Sequence, residues 1–220
     1  NVWEETNANT LQIKDEKDLS GLQKGIIDAA THEAQAKGMD GLIFTLQFPS
    51  YSPFMKYADN RKLREEIYRA NGSKACKGNE YDNRENVRQL TNLRLEMAKL
   101  LGSLTYADYA LKTKMAENPE NVNKLLNELL VASKPFAEKE IQDVQEYAKS
   151  QGANFELMPW DFSYYSEKLK VEKYDLDEEA TRPFFQLDKV IDGVFKLSNR
   201  LFELNFTENK EIPVYHEDVK

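Results

Sequence analysis

Between Val87 and Phe202 an apolar residue returns at nearly every third or fourth position, and only helices that bury one side accommodate that spacing. Val87, Leu90, Leu93, Met97, Leu100 and Leu101 form one stripe, with Gly102 placed to follow the helix end. Ahead of it, Asp82-Asn83-Arg84-Glu85 has the form of a capping box, in which Asp82 accepts from an amide three residues on while Glu85 reaches back. Thr105-Tyr106-Ala107-Asp108 repeats that signal for a helix running to about Ala116. Asn118-Pro119-Glu120 supplies an N-cap, a first-turn proline and a first-turn acid, and Val122, Leu125, Leu126, Leu129 and Ala132 follow. Pro135 has no amide to donate, so a kink or a new helix is expected there. Phe136, Ile141, Val144, Tyr147 and Ala148 then continue the stripe to Gly152. Leu187, Val190, Ile191, Val194, Phe195, Ser198, Leu201 and Phe202 mark a last strong helix, and weaker signals cover 22–37, 60–70 and 160–170.

The fold class read from this pattern is mainly α, a multi-helix array with a few short β-strands near 42–48 and 204–215. Leu42, Phe44, Leu46 and Phe48 alternate with Ile43, Thr45 and Gln47, and Pro49 is expected to end that strand. Leu11 and Ile13 suggest another. Leu204-Asn205-Phe206-Thr207 and Ile212-Pro213-Val214-Tyr215 read as two arms of an antiparallel pair, marginal without further strands. No repeat with a period of 34 or 40 residues is present, which leaves a helical solenoid unsupported. The polar stretch 71–80 reads as a surface loop. It offers a division into 1–80 and 81–220 within what otherwise reads as one mainly helical piece, 1–220.

Thirty basic against 38 acidic side chains give a net charge of −8, the wrong sign for a nucleic-acid footprint. No run of about 18 apolar residues exists to cross a bilayer. Cys76 is the single cysteine, which favours a reducing compartment, and the first residues show no basic and apolar leader. The expected location is cytoplasmic, or periplasmic if a signal was removed. The absent initiator Met and the pattern stopping at Lys220 suggest an excised segment.

Residues suited to chemistry are few. His32-Glu33-Ala34-Gln35-Ala36 begins like a zinc-protease helix, but the second histidine, one turn on, is replaced by Ala36. His216-Glu217-Asp218 places three ligand types in a row, where neighbours on a strand point apart, so a charged segment is the expectation. Asp175, Asp177, Glu178 and Glu179 lack the spacing of a calcium loop and read as a solvated turn. Arg61, Lys62, Arg64 and Arg69, interleaved with Glu65 and Glu66, read as an exposed helix face. Nothing marks Cys76 as reactive. No catalytic, cofactor-binding or metal-ligating residue is assigned, and the residues alone describe an acidic, mainly helical domain.

An ordered series of motifs goes further. Gly41-Leu42-Ile43-Phe44-Thr45-Leu46, Pro49-Ser50-Tyr51-Ser52-Pro53-Phe54-Met55 and Asn60-Arg61-Lys62-Leu63-Arg64-Glu65-Glu66-Ile67-Tyr68-Arg69-Ala70 come first. Asp82-Asn83-Arg84, Lys99-Leu100-Leu101-Gly102, Ala132-Ser133-Lys134-Pro135, Pro159-Trp160-Asp161, Tyr164-Tyr165-Ser166-Glu167-Lys168, Arg182-Pro183-Phe184-Phe185 and Val214-Tyr215-His216 follow. In this order they resemble the peptidyl-dipeptidase and oligopeptidase branch of the thimet oligopeptidase family of zinc metallopeptidases, most of all the bacterial peptidyl-dipeptidase (Dcp) type, over nearly the whole chain.

The resemblance implies a mostly helical protein with a deep channel that admits short peptides. It implies a zinc ion held by a His-Glu-x-x-His helix and a downstream Glu, and, in the peptidyl-dipeptidases, release of dipeptides from free C-termini. It also implies that this helix lies downstream of the stretch resembling 214–219. The catalytic zinc domain is therefore expected after 220: zinc belongs to the parent protein, and none is expected in this fragment. Tyr164, Tyr165 and His216 do not take the family's substrate-binding roles.

The chain is accordingly expected to be the helical, substrate-channel half of a larger metallopeptidase, inactive alone. Its expected partners are short peptides in the parent and the missing catalytic half, with no nucleic acid and no membrane. The alternative is a stand-alone helical binding or scaffold module. Trp160, Tyr164, Tyr165 and Leu169 have the spacing to line a peptide channel, but the core is the expected place for them, with Trp160 largely buried. An apolar surface near Leu204 to Tyr215 is expected to favour self-association.

Overall fold

Leu11 and Ile13 do face inward from a strand. In the computed structural model, which describes residues 2–175, 178–216 and 219, β1 (Thr10–Ile13) pairs antiparallel with β2 (Leu42–Thr45), setting Leu11 opposite Phe44 and Ile13 opposite Leu42. The second strand is shorter than the alternation suggested. The Ser50 hydroxyl accepts from the Thr45 amide at 3.0 Å, and the chain turns into a helix in which Pro49 occupies the first turn. Proline fits that position as readily as it ends a strand, because its missing amide would be unpaired there anyway.

Four helices surround this sheet or precede it: α1 (Val2–Ala8), α2 (Lys24–Ala36), α3 (Phe48–Tyr57) and α4 (Arg61–Gly72). Their inward residues make the core, in which Leu11, Phe44, Phe54, Met55, Ile67 and Trp160 are buried together and the Phe44 and Phe54 rings lie 4.6 Å apart. Asn60 starts α4 by accepting from the amides of Lys62 and Leu63. Buried Glu5 ties α1 to the 73–82 loop, accepting from the Ala75 amide and pairing with Lys77 at 2.8 Å. The Ala75 amide first of all, and then Lys77, hold the Glu5 carboxyl below its ordinary value.

Then come α5 (Arg84–Leu100), α6 (Tyr106–Leu111), α7 (Pro119–Ser150) and α8 (Pro159–Tyr174). The capping box expected at Asp82 does not form. Asp82 binds the Arg84 amide and guanidinium, Glu85 pairs with Arg88, and Asn83 starts α5 without a side-chain cap. The box at Thr105 and Asp108 does form, though its helix stops at Leu111. No new helix begins at Pro135: α7 runs uninterrupted for 32 residues, one missing amide being a local loss in a helix capped at its start by Asn118. Gly102 and Gly152 close α5 and α7 with paired bonds, from Ser103 to Ala98 and from Ala153 to Ala148.

By its contacts the chain forms two units, 1–170 and 171–220, and the polar stretch 71–80 lies inside the first. The second holds a one-turn helix, α9 (Glu178–Thr181), and α10 (Leu187–Phe202). The strand pair expected at 204–215 is absent among the described residues there. The Asn199 side chain instead binds the Leu204 carbonyl and the Asn205 side chain, and Phe206 stacks on Phe195 at 4.6 Å. Two short arms gain too little from pairing alone to overcome such local bonds.

Gly21 is the tightest backbone position. Its φ of +83° is one that side chains resist, and a Cβ there would lie 2.1 Å from the Tyr57 carbonyl oxygen. Gly21→Ala is expected to lower stability by about 3 kcal/mol or more, as measured by urea unfolding.

Candidate functional site

The most chemically demanding place in the first unit is where α4 meets the start of α8. Asp161 has no exposed surface, and its neighbour across the helices, Arg64, is 1% exposed. A buried carboxylate must be matched by cations and hydrogen bonds, and this one is. Arg61 grips it with Nε at 2.9 Å from Oδ1 and Nη2 at 2.7 Å from Oδ2. Arg64 Nη2 donates to Oδ1 at 3.0 Å, and the Met158 amide donates to Oδ2 at 3.1 Å.

Arg64 spends its other donors on backbone. Nε reaches the Trp160 carbonyl at 3.1 Å, and Nη1 reaches those of Ala58 at 2.7 Å and Asp59 at 3.2 Å. Its guanidinium lies 4.1 Å from the centre of the Tyr164 ring, as that of Arg61 does over Phe155. The bond to Asp161 raises the Arg61 pKa. With every lone-pair direction of Asp161 engaged by a donor, this carboxylate is a clasp between helices and has no position from which to move a proton.

Asp59 sits beside the clasp. Burial pushes its carboxyl upward, but hydrogen bonds from the Ser20 and Tyr164 hydroxyls, both 2.6 Å long, together with Lys168, hold it below its ordinary value. Burial, and then the bond to Asp59, raise the Tyr164 hydroxyl. One turn further along α8, buried Glu167 pairs with Lys56 at 3.2 Å and Lys170 at 2.8 Å. These groups also bind structure together.

Several sequence expectations meet this region. Trp160 is 5% exposed and belongs to the core, as expected, and Tyr164 is buried beside it. The reading of Arg61, Lys62, Arg64 and Arg69 as one exposed face is corrected: Arg69 pairs with Glu65 at the surface, whereas Arg64 is buried and Arg61 half-buried against Asp161. The spacing of three between Arg61 and Arg64 was the available signal, since it puts both on one side of a helix. Asp161 carried none of its own.

The groups with ligand chemistry are not brought together. His32 is exposed on α2, Ala36 stands one turn on, and Glu33 pairs with Lys37 at 3.2 Å. Cys76 is exposed in its loop. His216 is exposed in the second unit, while Glu217 and Asp218 lie outside the described residues, as do Asp177 and the side chains of Glu178 and Glu179. Among the described residues no three His, Cys, Asp or Glu side chains could hold a metal ion together. The donor set that a zinc centre needs is therefore not met by the described residues. No helix among them is long and apolar enough to cross a membrane.

Comparison with known proteins assigns what the geometry leaves open. The profile of peptidase family M3 matches residues 54–220. The chain belongs to peptidase family M3. Oligopeptidase A of Haemophilus influenzae is 40% identical over 224 residues, which covers 100% of this chain and 33% of that protein. Probable cytosolic oligopeptidase A of Arabidopsis thaliana is 39% identical over 230 residues, covering 100% and 32%. Dipeptidyl carboxypeptidase of Escherichia coli is 32% identical over 212 residues, covering 96% and 31%. The chain thus spans about a third of the length of the curated relatives it matches. Within family M3 it is more similar to these oligopeptidases A than to that dipeptidyl carboxypeptidase, although its motifs resemble both.

Removing the clasp tests its role. Asp161→Asn is expected to cost about 3–5 kcal/mol in urea unfolding, because it leaves the Arg64 guanidinium buried without its carboxylate. Arg61→Ala, at a half-buried position, is expected to cost less, about 1–2 kcal/mol.

Proposed function

We propose that these 220 residues are the helical, substrate-channel portion of a zinc-dependent peptidase that hydrolyses short peptides, and that the zinc centre is contributed by polypeptide outside them. The observation that carries this is the match to peptidase family M3 over residues 54–220, combined with coverage of only about a third of its relatives. The apolar sides of α5 and α7 agree with it. Only Ala98 is buried along α5, and residues 123–142 of α7 are all exposed, Leu125, Leu129 and Phe136 among them. Helices with such faces are built to be covered. A cytosolic setting is part of the proposal, supported by one exposed, unpaired cysteine.

On this reading the chain has no turnover alone, and the whole protein releases dipeptides from free C-termini. Likeness to a protein named dipeptidyl carboxypeptidase supports that specificity. The greater likeness to oligopeptidase A favours a second reading, a whole protein of the oligopeptidase A kind. The two differ in what they require of a substrate, since release of a C-terminal dipeptide needs the free carboxylate. A stand-alone helical binding or scaffold module remains the alternative function for the chain.

Two assays separate these readings. The 220-residue chain with added zinc is expected to leave a fluorogenic peptide intact, and robust, chelator-sensitive hydrolysis by it would refute the proposal. A chimera in which the chain replaces the matching third of Haemophilus influenzae oligopeptidase A is expected to regain zinc-dependent hydrolysis; if it folds and stays inactive, the scaffold reading stands. Mass spectrometry of products from peptides with free and amidated C-termini then identifies the specificity, cleavage of the amide excluding strict dipeptide release.

A further inference from the structure

A continuous uncovered apolar face runs along α10. Leu187, Val190, Ile191, Val194, Leu197 and Leu201 follow one side of it for four turns with no charged residue among them. Asp192 and Lys196, which pair at 2.6 Å, lie on the opposite side, so the helix has a solvent face and this is not it. The stripe is nevertheless open, with Val194 54% exposed. Within its own unit, the segment after the helix approaches it through Phe206 and Ile212 and leaves an apolar groove of about 800 Å³ beside Val190, Val194 and Phe195.

We infer that this groove and stripe seat a segment of the polypeptide that completes the family-length protein, an inference that rests on the proposal above. Size favours such an occupant. The stripe runs for four turns, with Leu187, Val194, Leu197 and Leu201 each more than half exposed, so that an extended segment is needed to cover it. Length supplies it, because about two thirds of the relatives' sequence has no counterpart in this chain. Shape argues against a second copy. A two-fold pair sets the same patch against itself, and a concave groove meeting a concave groove stays unfilled. The other exposed stripes are less complete: Arg94 interrupts that of α5, and Lys139 that of α7.

The test compares one substitution in two settings, the 220-residue chain and the chimera with Haemophilus influenzae oligopeptidase A. Val194→Asp changes an exposed side chain in the chain alone, and its melting temperature is expected to stay unchanged there. In the chimera the same aspartate is buried against its partner, and melting is expected to fall by about 5 °C or more. Leu201→Asp should behave likewise, while Lys196→Ala on the opposite side should shift neither protein.

A chimera that is active but indifferent to Val194→Asp and Leu201→Asp overturns this inference and leaves the proposed function standing. A chimera that is sensitive to both but inactive does the reverse. A chimera that does not fold overturns both. Light scattering that shows the chain alone to be a dimer, dissolved by Val194→Asp, overturns the choice of occupant in favour of a second copy.

Discussion

A carboxylate with no access to water sets terms for everything near it. Two guanidiniums and an amide surround Asp161, and those donors come from places far apart in sequence. Arg61 and Arg64 must therefore lie on the same side of α4, and the start of α8 must reach them. Arg64 extends the demand by fixing the carbonyls of Ala58, Asp59 and Trp160 as well. The turn between α3 and α4, where Asp59 also receives the Ser20 and Tyr164 hydroxyls, is thus held from three directions. Gly21 lies against the Tyr57 carbonyl because that turn is drawn in so closely. An apolar contact could slide by a residue without great loss. A buried ion cluster of this kind has one register.

The two ends of the first unit consequently rest on different physics. Around β1, β2 and α4, apolar side chains are buried in company and the polar exceptions are paired. Along α5 and most of α7, apolar side chains face water. Locally, Asn118 caps the start of α7, and bonds beyond Gly102 and Gly152 close α5 and α7. Capping contributes on the order of 1 kcal/mol at each end, which defines where a helix stops but supplies little of what burial would. Such helices gain most of their stability from whatever covers them.

This difference also explains which parts of the fold could be read from sequence. α5, α7 and α10 were legible because apolar residues recur along them at helical spacing, even where Arg94 and Lys139 break the stripe. α8 was weak because two of its core-facing positions are Asp161 and Glu167, which erase the apolar period that marks an amphipathic helix. The clasp was hidden for the same reason: Arg61, Arg64 and Asp161 look like surface residues until they are seen 97 to 100 positions apart in sequence yet in contact. At Asp82 the local competitor, Arg84, was simply closer than the amide that a capping box requires. The 204–215 arms failed as strands because period alone does not supply the hydrogen-bonding neighbours that a strand needs.

The chain belongs to peptidase family M3, and the polar groups of its clasp are engaged in structure. The clasp residues lie within Asn60-Arg61-Lys62-Leu63-Arg64 and Pro159-Trp160-Asp161, two of the motifs in which the sequence resembles the family, and they tie helices together. Histidine is scarce, His32 has alanine where a second ligand would stand, and the acidic groups that are buried are already committed to cations. A carboxylate that holds two arginines cannot also activate water, because activation needs a lone pair free to accept the proton. Among the described residues, the buried carboxylates Glu5, Asp161 and Glu167 are each committed to a cation, and their contribution is to hold helices in place.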